Sequence, residues 1–114
     1  MTVMERSVDT RRYRRVTFKR SVKVSRLSRD VFDGNLSQDI SQGGLRIFST
    51  DFLPLHTLVT VRVQLRDEAR VLEFPAKVVW VRVQPLSENF QIGLEFLDDQ
   101  LRPNEEVARF VKSL

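Results

Sequence analysis

Residues 59–66, Val59-Thr60-Val61-Arg62-Val63-Gln64-Leu65-Arg66, alternate apolar and polar side chains without a break. Successive side chains of a β-strand point to opposite faces, so this order predicts a strand with one buried and one solvated face. Similar alternation runs from Val16 to Val24, where Arg20 alone interrupts the apolar face, and from Phe90 to Phe96. Segments of this kind build the core of a small antiparallel sheet or barrel.

Length and composition fit one folded domain. The chain has 114 residues, of which 41% are hydrophobic and 30% charged, as in ordinary globular proteins. It has no cysteine, which excludes disulfides, thiolate metal sites and a cysteine nucleophile. No run reaches the roughly 20 apolar residues of a membrane span, and residues 1–10 lack the apolar core of a signal peptide. We therefore expect a cytoplasmic protein.

Positive charge is concentrated at the N-terminal end. Residues 1–29 hold ten Lys and Arg against two acidic residues, a balance of +8, whereas the remainder holds nine against thirteen, a balance of −4. Such a cluster attracts polyanions, phosphates or an acidic membrane surface. A solvated arm that keeps the protein soluble is the plainer alternative.

Turn and strand signals continue the all-β pattern. Asp33-Gly34-Asn35 predicts a turn between two paired strands, the second running through Leu36 to Ile40. The adjacent glycines Gly43 and Gly44 indicate a positive φ angle or the close approach of a ligand or another backbone. The plainer alternative is an ordinary bulge or tight turn, which we favour for Gly43. A long strand is expected over 71–83, bent or at an edge because of Pro75. We expect Trp80 in the core, with a position on a ligand-binding face as the alternative.

The hydrophobic period changes after residue 99. Val107, Phe110, Val111 and Leu114 follow helical spacing, which predicts an amphipathic C-terminal helix over about 103–113 packed on an open end of the barrel. We expect a flexible N-terminal arm over 1–10 and a single domain over 11–114.

Two polar motifs carry the functional signal. Asp39, Ser41 and Gly44 are spaced as D-x-S-x-x-G, and Arg11 and Arg15 as R-x-x-x-R. Together with Val78-Val79-Trp80 and the segment 92–96, this arrangement resembles the PilZ family over roughly residues 11–112. The resemblance implies a six-stranded antiparallel β-barrel that binds the bacterial second messenger cyclic di-GMP.

The resemblance carries five residues over directly, and two extra arginines join them as candidates. The ligand-binding set is Arg11, Arg12, Arg14, Arg15, Asp39, Ser41 and Gly44. A shifted pair, Arg12 with Arg15 or Arg11 with Arg14, could contact the ligand in place of Arg11 with Arg15.

These residue types suit the implied ligand. An arginine fork pairs bidentately with a phosphate or with O6 and N7 of guanine, and Asp39 accepts from N–H groups on a guanine edge. The Ser41 hydroxyl can donate or accept, and Gly44 lacks the Cβ that would hold a ligand away. Binding would order the arm and pass the signal to a protein effector, by family analogy in motility or exopolysaccharide machinery.

Other functional classes are open. A small barrel with a basic arm also fits single-stranded nucleic-acid binding, which the lack of an exposed aromatic series makes unlikely. A PilZ module without ligand that binds proteins is the third reading. No catalytic set can be assembled, so we expect neither an enzyme nor a metal or other cofactor besides the ligand.

Overall fold

The computed structural model describes residues 3–5, 14–26, 33–97 and 101–114 of the chain, with side chains described at residues 14–26, 34–97 and 105–114. Eight strands and one helix lie in these ranges. They are β1 (Val3–Glu5), β2 (Val16–Thr17), β3 (Ser21–Arg26), β4 (Asp33–Ser41), β5 (Gly44–Ser49), β6 (Leu58–Val63), β7 (Leu72–Val83), β8 (Phe90–Phe96) and α1 (Leu101–Lys112).

Six of the strands close into an antiparallel barrel, as the sequence predicted. The order runs β7-β6-β3-β4-β5-β8, and the pairing of β8 with β7 completes the circuit. The two short strands extend the sheet: β1 pairs with β7, and β2 pairs with β4. Closure leaves these six strands with neighbours on both sides, which removes the exposed edges that an open sheet would present.

Alternating apolar residues fill the barrel. Val59, Val61 and Val63 of β6 are fully buried, and Val61 lies opposite Phe74 of β7. Phe74 stacks on Phe96 with their ring centroids 4.2 Å apart. The segment 59–65 therefore faces the core with every second side chain, as its order predicts.

The strand expected from Val16 to Val24 is divided at residues 18–20. The backbone N–H of Arg20 donates to Ser37 Oγ at 2.9 Å, and this hydroxyl donates to the carbonyl of Phe18 at 2.6 Å. Between the end of β2 and the start of β3, the Ser37 side chain thus replaces part of the backbone hydrogen bonding with β4. The Arg20 guanidinium reaches the barrel rim and pairs with Asp67 at 2.8 Å, so the break in the apolar pattern does not bury a charge.

The turn predicted at Asp33-Gly34-Asn35 is wrong. These residues form the start of β4, where Gly34 pairs with Lys23 and Asn35 with Val22. The connection between β3 and β4 falls in residues 27–32, which lie outside the described residues. Turn-forming residue types were overruled here by long-range pairing across the barrel.

The predicted core position of Trp80 is wrong because β7 contains a β-bulge. The register with β8 shifts between Val78 and Trp80, so Val78 and Val81 both face the core. Trp80 consequently lies on the outer face, where it is half-buried instead of belonging to the core. The bulge expected near Pro75 lies at Val79 instead, since Pro75 keeps a regular register with Thr60.

Helix α1 buries one side against the barrel. Val107 is fully buried and Val111 nearly so, while the ring of Phe110 contacts Phe18 edge to face at 5.7 Å. Leu114, expected on the same stripe, lies beyond the end of the helix and is exposed. In the part of the chain that the structure describes, no helix has the length and apolar character needed to cross a membrane.

Of the arm expected over 1–10, only Val3–Glu5 falls within the described ranges. These residues form β1, which pairs antiparallel with residues 80–82 of β7. The rest of the arm, with Arg11, Arg12 and Tyr13, lies outside the described residues.

Candidate ligand-binding site

Asp39 lies at the centre of the site, on the outer face of β4. The register between β4 and β5 shifts between Ser37 and Asp39, so Gln38 is the extra residue of a bulge. Ser37 and Ile40 therefore face inward and are fully buried, and the side chains of Asp39 and Ser41 project from the opposite face. Only 13% of the Asp39 side chain is exposed, so its carboxylate is largely withdrawn from solvent.

Two arginines from different parts of the chain pair with this carboxylate. Arg46 donates from Nη2 to Asp39 Oδ2 in a close charge-assisted hydrogen bond. Arg15 Nη1 lies 3.6 Å from Asp39 Oδ1, which is within ion-pair range but beyond a direct hydrogen bond. The R-x-x-x-R and D-x-S-x-x-G segments thus meet at this point through Arg15 and Asp39.

Strand pairing explains why Arg15 reaches Asp39. Val16 of β2 pairs with Ile40, and Thr17 pairs with Asp39, which aligns the start of β2 with the end of β4. Val16 is buried, so its neighbour Arg15 projects from the outer face, where its side chain is 37% exposed.

Arg14 contacts a different part of the molecule. Its Nη1 lies 3.5 Å from the carbonyl oxygen of Val111, in the last turn of α1. A cation at this position interacts favourably with the negative end of the helix dipole. The structure therefore places Arg14 and Arg15, which are neighbours in sequence, against the helix and against the Asp39 site respectively.

Ser41 and Gly44 form the hairpin that follows Asp39. They pair with each other across the turn Gln42-Gly43, and Ser41 Oγ accepts a hydrogen bond from the Gly43 N–H at 3.2 Å. The Ser41 hydroxyl proton takes no part in that bond and is available to an acceptor. The Ser41 residue is buried.

The reason for glycine at position 44 is the neighbouring strand. A Cβ on Gly44 would overlap the carbonyl oxygen of Leu94 and lie 3.2 Å from its carbonyl carbon. None of the described glycines has a positive φ angle, so that alternative is wrong for Gly43 and Gly44. Gly43 lies in the hairpin turn, as was favoured for it. The alternative expectation, close approach of another backbone, is confirmed for Gly44.

Sequence reasoning missed a row of outward-facing residues beside the two motifs. Asp39 pairs with Arg46, Arg46 with Gly93, and Gly93 with Trp80, across four consecutive strands of the barrel. The Trp80 indole covers Gly93, and a Cβ there would overlap it. The row therefore presents a carboxylate, a guanidinium and an aromatic ring side by side, in this order, across one face of the barrel.

A second polar chain runs beside this row. Gln91 is buried although it faces outward, and it donates to Gln38 Oε1 at 2.6 Å and accepts from Arg82 Nη1 at 3.2 Å. The Arg82 guanidinium lies over the Trp80 ring, 5.4 Å from its centroid. These contacts make this face of the barrel polar, cationic and partly aromatic.

Chemically, the face suits an anion that also offers hydrogen-bond donors. Guanidinium groups pair with phosphates or with the acceptor edge of a purine, while Asp39 accepts from N–H groups. Among the described side chains, no three His, Cys, Asp or Glu residues are grouped as metal ligands.

Comparison with known proteins gives the family. The PilZ domain matches residues 9–113. No curated protein matches the chain.

Solved structures share the fold. The PilZ domain of Escherichia coli YcgR with c-di-GMP has 16% sequence identity and a TM-score of 0.70, covering 93% of this chain and 92% of that one. The PilZ domain of CeSA from a cellulose-synthesizing bacterium has 20% identity and a TM-score of 0.65, covering 88% and 96%. Bacillus subtilis inhibitor of motility MotI/DgrA has 21% sequence identity and a TM-score of 0.75, covering 93% of this chain.

The chain spans only about half of MotI/DgrA, 51% of its length. The described barrel corresponds to the PilZ domain itself in the YcgR and CeSA structures. Since the family's domain matches the chain from residue 9 to residue 113, the chain belongs to the PilZ domain family.

Proposed function

We propose that the chain is a receptor for cyclic di-GMP, which binds on the outer face of the barrel against Arg15 and Asp39. The observation that carries the proposal is the meeting of the two motifs. Arg15 Nη1 and Asp39 Oδ1 lie 3.6 Å apart, although the two residues are 24 positions apart in the chain. The pair offers one cation and one acceptor, and both types of group are needed for a guanine nucleotide.

The ligand presents complementary groups to this pair. Its phosphates, and O6 and N7 of its guanines, accept from arginine, whereas the guanine N1–H and N2–H groups donate to a carboxylate. Arg15 is more than one-third exposed and not hydrogen-bonded to Asp39, so it can move to the ligand at small cost. Asp39 then accepts from the guanine edge in place of Arg15.

Family membership and related complexes support the same ligand. YcgR of E. coli and MrkH of K. pneumonia both have structures with c-di-GMP, and MrkH has 20% identity to this chain with a TM-score of 0.71. Arg11, Arg12, Arg14, Ser41 and Gly44 complete the binding set in this proposal. Gly44 contributes by allowing β5 and β8 to approach closely. The protein acts as a receptor, not an enzyme, and is cytoplasmic.

Arg14 offers a route for the signal. It contacts the last turn of α1, while its neighbour Arg15 contacts the binding face. A ligand that draws the arginine segment onto the barrel changes the contact of Arg14 with the helix. Ordering of the arm and release of this contact are the events that a protein effector would detect, in motility or exopolysaccharide machinery.

Thermal unfolding with added dinucleotide tests the ligand. At a concentration 100 times the dissociation constant, a ligand specific for the folded state stabilises it by about 2.7 kcal/mol, which raises the Tm by about 10 °C for a domain of this size. We expect this rise with cyclic di-GMP and a smaller one with cyclic di-AMP. Stabilisation by single-stranded DNA alone, lost steeply with salt, would favour the nucleic-acid reading. If neither the dinucleotides nor single-stranded DNA shift the Tm, a PilZ module that binds proteins without a ligand is the remaining interpretation.

A further inference from the structure

The two oxygens of Asp39 have different partners. Oδ2 accepts a close hydrogen bond from Arg46, whereas Oδ1 faces Arg15 at 3.6 Å without a hydrogen bond. The Arg46 side chain is also less exposed than that of Arg15, 26% against 37%. One cation is therefore tightly paired with the carboxylate and the other loosely.

Backbone pairing accounts for the difference. Asp39 and Arg46 are directly opposite each other in the β4–β5 hairpin, so both are fixed by a ladder of hydrogen bonds. Arg15 precedes β2 and belongs to no strand. An incoming ligand can therefore displace Arg15 while Arg46 keeps its position.

The environment of Arg46 is not that of an ordinary surface ion pair. Its Nε is buried without a hydrogen-bond partner, which is a cost to folding. Gly93, the residue opposite Arg46 on β8, is covered by the Trp80 indole, so Arg46 lies between a carboxylate and the position of an aromatic ring. A buried polar group without a partner needs an explanation, and the Nε of Arg82, on the same face, is a second one.

We propose that Arg46 is a positioning residue that holds the Asp39 carboxylate for the guanine edge. This inference rests on the proposed function. When Arg15 turns to the ligand, Asp39 stays largely buried and close to a dianion. Arg46 remains as its counter-ion and, through the hydrogen bond to Oδ2, fixes the plane of the carboxylate. Each carboxylate oxygen has two acceptor positions, so Oδ2 can keep Arg46 while the carboxylate accepts from the ligand.

The same arrangement sets base specificity. The guanine edge presents two neighbouring donors, N1–H and N2–H, and a carboxylate with a fixed plane accepts from both. Adenine presents a ring nitrogen acceptor at the corresponding position, which a carboxylate repels. A carboxylate that rotates freely would discriminate less, because it can turn away from the acceptor.

Three variants test the inference by titration with cyclic di-GMP and cyclic di-AMP. Arg46→Met keeps the apolar stem of the side chain and removes the charge, whereas Arg46→Lys keeps the charge. Arg62→Met is the matched control, since Arg62 pairs with Glu73 at 3.0 Å on neighbouring strands away from the site. Thermal unfolding of each variant establishes that it is folded.

We expect Arg46→Met to bind cyclic di-GMP about tenfold more weakly, because the charge-assisted contact of Arg46 with Asp39 is lost. The variant should also discriminate less against cyclic di-AMP. Arg46→Lys should recover part of both properties, and Arg62→Met should match the wild type. A purely structural role would lower the Tm without changing the ratio of the two affinities.

Two results would overturn the inference while the proposed function stands. The first is wild-type affinity and selectivity in Arg46→Met. The second is tighter binding by that variant, which would mean that Arg46 obstructs the site. If the wild-type protein itself binds neither dinucleotide, the proposed function fails, and the inference fails with it.

Discussion

Alanine substitutions at three glycines of the barrel should differ in their effects because each Cβ would meet a different neighbour. At Gly44 the obstacle is the Leu94 carbonyl, part of the backbone of β8, which cannot rotate away. At Gly93 it is the Trp80 indole, a side chain that can swing into solvent. At Gly34 the nearest atom is Ser21 Oγ at 3.9 Å, an ordinary contact.

These contacts translate into a graded series of stabilities. Overpacking that moves a backbone costs about 3 kcal/mol, whereas displacement of one side chain costs about 1 kcal/mol. Gly34→Ala should be neutral or stabilising by about 0.5 kcal/mol, since glycine in a strand loses more backbone entropy on folding. At about 4 °C per kcal/mol, Gly44→Ala should lower the Tm by about 12 °C and Gly93→Ala by about 4 °C.

Denaturant unfolding followed by circular dichroism measures the series. Trp80 is the only tryptophan in the chain, so its fluorescence reports separately whether Gly93→Ala expels the indole, as a red shift in the native protein. Gly34→Ala is the control for the effect of replacing a strand glycine by alanine without a steric clash. Equal stability of Gly44→Ala and Gly34→Ala would refute the reasoning, because it would mean that Gly44 does not adjoin the β8 backbone.

Three further substitutions or titrations follow from the same contacts. Ser41→Ala removes the acceptor of the Gly43 N–H and should lower the free energy of unfolding in denaturant by about 1 kcal/mol, with weaker dinucleotide binding. Unchanged stability would contradict the hairpin contact. Val107→Ala should cost about 2 kcal/mol because this side chain of α1 is fully buried against the barrel, and an unchanged urea midpoint would mean that the helix is not docked. Cyclic di-GMP should change Trp80 fluorescence, since Trp80 shares a row with Asp39 and Arg46; a flat titration at saturating ligand would place the ligand elsewhere.

The strands that alternate cleanly were predictable from sequence. Val59, Val61 and Val63 face the core because nothing interrupts their period, and the barrel has the six antiparallel strands that the resemblance implied. The errors fall where a residue is inserted into the pattern. The bulge near Val79 transfers Trp80 to the outer face, and a single residue shift of this kind has no marker in local composition.

The turn predicted at 33–35 failed for a different reason. Asp, Gly and Asn favour turns in isolation, but here they pair with residues 22–24 of β3. Long-range pairing decided their conformation, and no local pattern reveals the partner strand.

The candidate site was predictable in part. The two motifs place Arg15 and Asp39 on the same ligand by resemblance, and in the structure these side chains are adjacent. Arg46 was missed although a signal existed. A two-residue turn at Gln42-Gly43 pairs Ser41 with Gly44, and counting back along both strands brings Asp39 opposite Arg46.

The central claim is that the Arg15 and Asp39 pair binds cyclic di-GMP, and isothermal titration of wild type, Arg15→Ala and Asp39→Asn tests it most directly. We expect wild-type binding with a defined stoichiometry, and a loss of at least about tenfold in each variant, since each removes a charge-assisted contact. Arg62→Ala, on another part of the outer surface, should bind as the wild type does. Unaltered binding by folded Arg15→Ala and Asp39→Asn would contradict the account, as would the absence of any heat with the wild-type protein.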